Sequence, residues 1–115
     1  MATVLPHPLT DDAAELIAER FFLLAEPMRV KILDRLRDGE ANVHELAEPL
    51  GTTPQNVSKH LGVLLRGGVV GRRKEGNFVY YRVVDDGIWQ LCHLVCGGVD
   101  RRLDELRAVL HAQTA

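Results

Sequence analysis

At 115 residues and 46% apolar, the chain fits one folded domain, long enough for a core and short enough that dimerisation would add stability. Its longest apolar run, Phe21 to Ala25, is too short to span a membrane, and the opening MATVLPHPLTDD has neither the basic start nor the apolar centre of a secretory signal. Two cysteines make no disulfide framework, so a cytoplasmic protein is expected.

Residues 1–9 read as a loose tail and residues 10–112 as a single domain. Thr10 suits the N-cap of a first helix, with Asp11 and Asp12 in its first turn against the positive end of the dipole. That helix is expected to run to about Ala25, with Ala13, Leu16, Ile17, Phe21 and Leu24 as its apolar positions. Pro27 starts a second helix carrying Val30, Ile32, Leu33 and Leu36 and ending at Asp38-Gly39. Asn42 caps a third helix, Val43 to Leu50, closed by Gly51.

Thr53 caps a fourth helix with Pro54 at its first position, where a missing N–H costs nothing. Val57, Leu61, Leu64 and Leu65 form its buried stripe. Gln55, Asn56, Ser58, Lys59 and His60 are read as facing outward, and such side chains hydrogen-bond base edges and phosphates. Gly67-Gly68 ends the helix. Val69 to Lys74 and Phe78 to Val83 read as strands joined by Glu75-Gly76-Asn77, with Tyr80 or Tyr81 facing inward. A last helical region follows from Asp85 or Asp86 to about His111.

The fold class is therefore mainly α with a β-hairpin wing: four helices, two strands and a helix. The third and fourth helices form a helix-turn-helix and the hairpin its wing.

The formal charge of −2 argues at first against a nucleic-acid partner, but its distribution reverses that. Residues 1–51 carry a balance of −5 and residues 83–115 one of −2, while residues 52–82 carry +5 from Lys59, Arg66, Arg72, Arg73, Lys74 and Arg82 against Glu75. Affinity for phosphate follows the local patch. The candidate DNA contacts are Thr53, Gln55, Asn56, Ser58, Lys59, His60, Arg66, Arg72, Arg73, Lys74 and Asn77.

LAEPMRVKIL (Leu24 to Leu33), VHELAEPLG (Val43 to Gly51), PQNVSKHLGVLLRGGVV (Pro54 to Val70) and RRKEGNFVYYRV (Arg72 to Val83) appear in an order and spacing that resembles the ArsR/SmtB family of winged-helix repressors. The resemblance covers roughly residues 15–110. It implies a homodimer joined through the first and last helices, which binds double-stranded operator DNA and is released by an inducer. The family's known inducer sites are not matched. Asn42, Val43 and His44 stand where arsenic-sensing members carry Cys-Val-Cys. Asp85 or Asp86 matches the first ligand of the zinc- and cobalt-type site. Gly87 and Ile88, and later Gly98, Val99, Arg101 and Arg102, occupy the remaining positions.

Cys92 and Cys96, four residues apart, share one helix face about 5–6 Å apart at Cβ. A thiolate pair suits As(III), Sb(III), Cd(II) or Pb(II), although two thiolates alone leave such a site incomplete. A third ligand is sought in His93, in His7 or across a dimer interface. Two other readings stand beside this one. Ile88, Cys92, Val95, Val99, Leu103, Leu106 and Leu110 form a seam in which the cysteines are plain core. The thiols also suit redox or persulfide sensing.

Gly97-Gly98 either permits close helix approach or breaks the helix into 86–96 and 99–111. There is no Cys-x-x-Cys, phosphate loop or nucleophile motif, so an enzyme is not expected. A winged-helix protein-interaction module is the remaining alternative, and the local +5 favours DNA over it.

Overall fold

Side-chain caps set where the helices begin. Thr10 accepts a hydrogen bond from the Ala13 amide (3.1 Å) to start α1, Asp11–Leu24. Glu26 accepts from the Arg29 amide (3.1 Å) to start α2, Pro27–Arg35, which tightens into a 3-10 turn at Leu36–Asp38. Asn42 and Glu45 exchange hydrogen bonds in a capping box that opens α3, Val43–Ala47. Thr53 accepts from the Asn56 amide (3.1 Å) to open α4, Pro54–Arg66. β1 (Val70–Glu75), β2 (Phe78–Val83) and α5 (Gly87–Thr114) complete the chain.

This computed structural model describes residues 6–114. Of the expected loose tail, residues 1–5 lie outside the described residues, and residues 6–9 form neither helix nor strand. The element order is the expected one, with α3 shorter than read and β1 one residue later. The chain divides between Val84 and Asp85 into two units.

In the first unit, Ile32, Leu33, Leu36, Leu46, Val57, Leu61 and Leu64 are buried, each adding about 1.5–3 kcal/mol of hydrophobic stabilisation. α3 and α4 meet across a short turn at Gly51, whose φ of +64° favours glycine. β1 and β2 pair antiparallel from Val70↔Val83 to Glu75↔Phe78. Tyr81 is the inward tyrosine, and Ala41 forms an isolated bridge to it, which fastens the wing to the segment before α3.

The first helix departs from its expected pattern. Leu23 is its buried residue, while Leu16, Phe21 and Phe22 are exposed; Val30 of α2 is exposed as well. An apolar stripe marks a helix face that must be covered, and does not say by what.

The second unit is α5, and it runs unbroken through Gly97-Gly98, so the two-helix alternative is wrong. Two interior glycines cost roughly 2 kcal/mol relative to alanine, which the hydrogen-bond ladder of a 28-residue helix tolerates. Val95, Val99, Leu103, Leu106 and Leu110 of the expected seam are all exposed. No helix among the described residues is long and apolar enough to cross a membrane.

Candidate nucleic-acid interface

α4 is amphipathic by spacing. Val57, Leu61 and Leu64 point into the core, so Gln55, Ser58, Lys59 and Arg66 are left exposed. Thr53 and Asn56 are committed to the start of the helix. The Thr53 hydroxyl caps it, and Asn56 Nδ2 donates to Thr52 Oγ1 (3.0 Å), leaving Asn56 half-buried with its carbonyl oxygen as the polar group without that commitment.

His60 does not face outward. It is 8% exposed, with Nδ1 3.3 Å from Arg29 Nη1 and Nε2 3.8 Å from Glu26 Oε2. Position 60 lies three residues after Val57 and four before Leu64, which puts it on the buried stripe whatever its polarity. His60 is therefore removed from the contact set.

Arg73 is also diverted. On the hairpin, Arg73 pairs with Tyr80, and its guanidinium stacks on that ring at 4.9 Å. It also binds Glu40 through a fork of hydrogen bonds and Glu75 at 2.7 Å. The Arg73 hydrogen bonds hold the Glu40 carboxyl below its ordinary value, and both carboxylates push Arg73 further up. Two carboxylates on one guanidinium leave little charge for phosphate, so Arg73 serves as the wing's anchor. Arg72, Lys74 and Arg82 remain exposed, as does Asn77 in the turn.

These residues lie on three consecutive elements of one unit, α4, β1 and β2. Gln55, Ser58 and Lys59 supply donors and acceptors on a helix face, and Arg72, Lys74 and Arg82 supply cationic charge on the strands that follow. Arg82 contributes to the charge balance of residues 52–82 but is absent from the contact set expected from sequence. Arg29 is also absent from that set; it is 6% exposed and makes polar contacts to α1 and α4. Its spacing of three and four residues to Ile32 and Leu33 was the available signal.

On α5, Cys92 is half-buried, Cys96 and His93 are exposed, and neither cysteine is in a disulfide. Exposure of Cys96 removes it from a core within the single chain. Among the described residues no group of three or more His, Cys, Asp and Glu side chains is arranged to hold a metal ion. His7 is exposed in the non-helical segment before α1.

A short-turned helix pair followed by an antiparallel hairpin defines a winged helix-turn-helix protein. The helix-turn-helix domain family matches residues 24–73. Among curated relatives, the HTH-type transcriptional regulator KmtR of Mycobacterium tuberculosis is 40% identical over 86 residues, 75% of this chain and 66% of its own length. The uncharacterized regulator Rv0081 of the same organism is 37% identical over 84% of this chain and 85% of its own, and its crystal structure superposes with a TM-score of 0.74.

The homodimeric winged helix-turn-helix DNA-binding domain Mb0332 of Mycobacterium bovis matches with a TM-score of 0.71 at 31% identity, covering 87% of this chain and 95% of that one. The antimony-specific repressor AntR matches with a TM-score of 0.75 at 25% identity, covering 90% and 99%. The chain thus belongs to the ArsR/SmtB family of winged helix-turn-helix transcriptional regulators, a non-enzymatic family. It spans just under two thirds of the length of KmtR.

Proposed function

We propose that this chain is a cytoplasmic homodimeric repressor that reads operator DNA through α4 and the wing. The observation that carries the reading is the α4 surface. The helix buries Val57, Leu61 and Leu64 on one side and presents Gln55, Ser58 and Lys59 on the other, and the hairpin that follows carries exposed cations. Gln and Ser suit base edges, while Lys59, Arg66, Arg72, Lys74 and Arg82 suit phosphates. Dimerisation through α1 and α5 is supported by the exposed apolar residues on both helices and by the likeness to the homodimeric Mb0332 domain.

The inducer is proposed to be a thiophilic ion, As(III), Sb(III), Cd(II) or Pb(II), taken by Cys92 and Cys96. His93, His7 or a residue of a second copy would complete the ligand set. An exposed thiol one helical turn from another supports this, as does the likeness to an antimony-specific repressor. The exposed Cys96 equally supports a redox or persulfide signal. In either case the inducer must bind the DNA-incompetent state more tightly.

Titration of the protein on the upstream region of its own gene with arsenite, antimonite, cadmium, lead, zinc, peroxide and polysulfide separates these. Release by the first four, abolished in the Cys92→Ser, Cys96→Ser double variant, is the expected result. Release by peroxide or polysulfide alone selects the redox reading. If the double variant responds to every inducer that works on the wild type, α5 is not the sensor.

A further inference from the structure

Both ring nitrogens of His60, in the middle of α4, address the corner between α1 and α2. Nδ1 faces the Arg29 guanidinium at 3.3 Å and Nε2 faces Glu26 at 3.8 Å. Arginine has only donors, so Nδ1 accepts and a neutral ring carries its proton on Nε2, toward the carboxylate. The same guanidinium closes α1. Arg29 Nε donates to the Leu23 carbonyl (2.7 Å) and Nη2 to the Phe22 carbonyl (2.9 Å), both in the last turn of that helix, where intrahelical partners run out.

A second strut joins the same two helices. Arg20 Nη1 donates to the carbonyl of Gly67, the C-cap of α4, at 2.9 Å. There the helices touch so closely that a Cβ on Gly67 would lie 2.5 Å from Leu23 Cδ1. The C-terminal turns of α1 are thus seated on α4 at its middle and at its end.

Leucine at position 60 would continue the Val57, Leu61, Leu64 stripe, whereas histidine sets an imidazole against the buried Arg29 guanidinium. Burying such a pair is a poor route to stability, and its gain is a defined geometry. We propose that Arg29, His60 and Arg20 are positioning residues for DNA recognition, fixing the angle at which α1 carries α4. The proposal rests on reading α4 as the DNA-contacting helix and the exposed face of α1 as part of the dimer surface. On that reading the joint sets how the two reading heads of the dimer are aimed, and His60 acts without touching DNA.

Asparagine places a polar atom where Nδ1 stands, and leucine does not, so the two variants split polarity from packing. Operator affinity and salt slope are measured for wild type, His60→Asn and His60→Leu, alongside thermal melts. H60L is expected to melt cooperatively and bind operator about tenfold more weakly, with the salt slope unchanged because no phosphate contact is lost. H60N is expected to restore most of the affinity.

Equal affinity of H60L and wild type, or of H60L and H60N, overturns the proposal. Should H60L fail to fold, Arg20→Met, at an exposed position, carries the test. A loss of about threefold supports the joint, and unchanged affinity overturns it. If wild type itself binds no DNA, the functional reading fails, a result distinct from all of these.

Discussion

α4 and α5 are both amphipathic by sequence, yet their apolar sides meet different fates. The α4 residues Val57, Leu61 and Leu64 are sealed inside the chain, whereas Val99, Leu103 and Leu106 of α5 are exposed. A stripe satisfied within the chain makes a rigid platform whose other face is free for recognition. A stripe left open is a surface that a second chain can cover, and exposed apolar patches of this kind mark interaction sites. On the proposed function, the difference separates reading from assembly and signalling along one sequence.

The contrast can be broken at either end. Leu61→Ala should remove about 2–5 kcal/mol of stability in a urea melt, since it opens a cavity in the sealed core. Leu106→Asp on α5 should instead shift the chain toward monomer in sedimentation and weaken operator binding through loss of the second head. A larger loss of chain stability from Leu106→Asp than from Leu61→Ala would erase the distinction between the two stripes.

On the reading face, Gln55→Ala should cost about 1–3 kcal/mol of discrimination at the base it contacts, seen as relaxed preference in a panel of operator variants. Uniform weakening across the panel would assign Gln55 to the backbone instead.

The smallest effect concerns the wing anchor. Hydrogen bonding to Arg73 lowers the Glu40 carboxyl below its ordinary value of 4.5, so the unfolded chain binds this proton more readily. The stabilisation is therefore complete above 4.5 and is lost as pH falls through the lowered folded value. Both side chains are solvent-accessible, so the change in melting temperature should be slight. Arg73→Gln should abolish that acid-side dependence, and an unchanged pH profile would show that the pair carries none of it.

Most of the fold was legible in residue spacing. Thr10, Asn42 and Thr53 cap the helices they were expected to cap, Pro27 and Pro54 sit at first positions, and α4 and β2 have the bounds read from sequence. Residue type misleads where it runs against periodicity. His60 is polar in type, yet its spacing to Val57 and Leu64 places it inside. Arg73 reads as a free cation in the sequence because Glu40 lies 33 residues away, and only the folded register of the wing brings them together. The glycine pair at 97–98 suggested a break, since local propensity takes no account of an uninterrupted ladder on both sides.

The central claim is that the face of α4 and the wing bind operator phosphates and bases. A mobility shift on the upstream region at two salt concentrations, comparing wild type with Lys59→Ala, Arg72→Ala, tests it most directly. Wild-type affinity should fall steeply with salt, and the variant's log–log slope should be shallower by about 0.9 for each phosphate contact removed. A wild-type protein that fails to shift the DNA, or a variant with the wild-type slope, would contradict it.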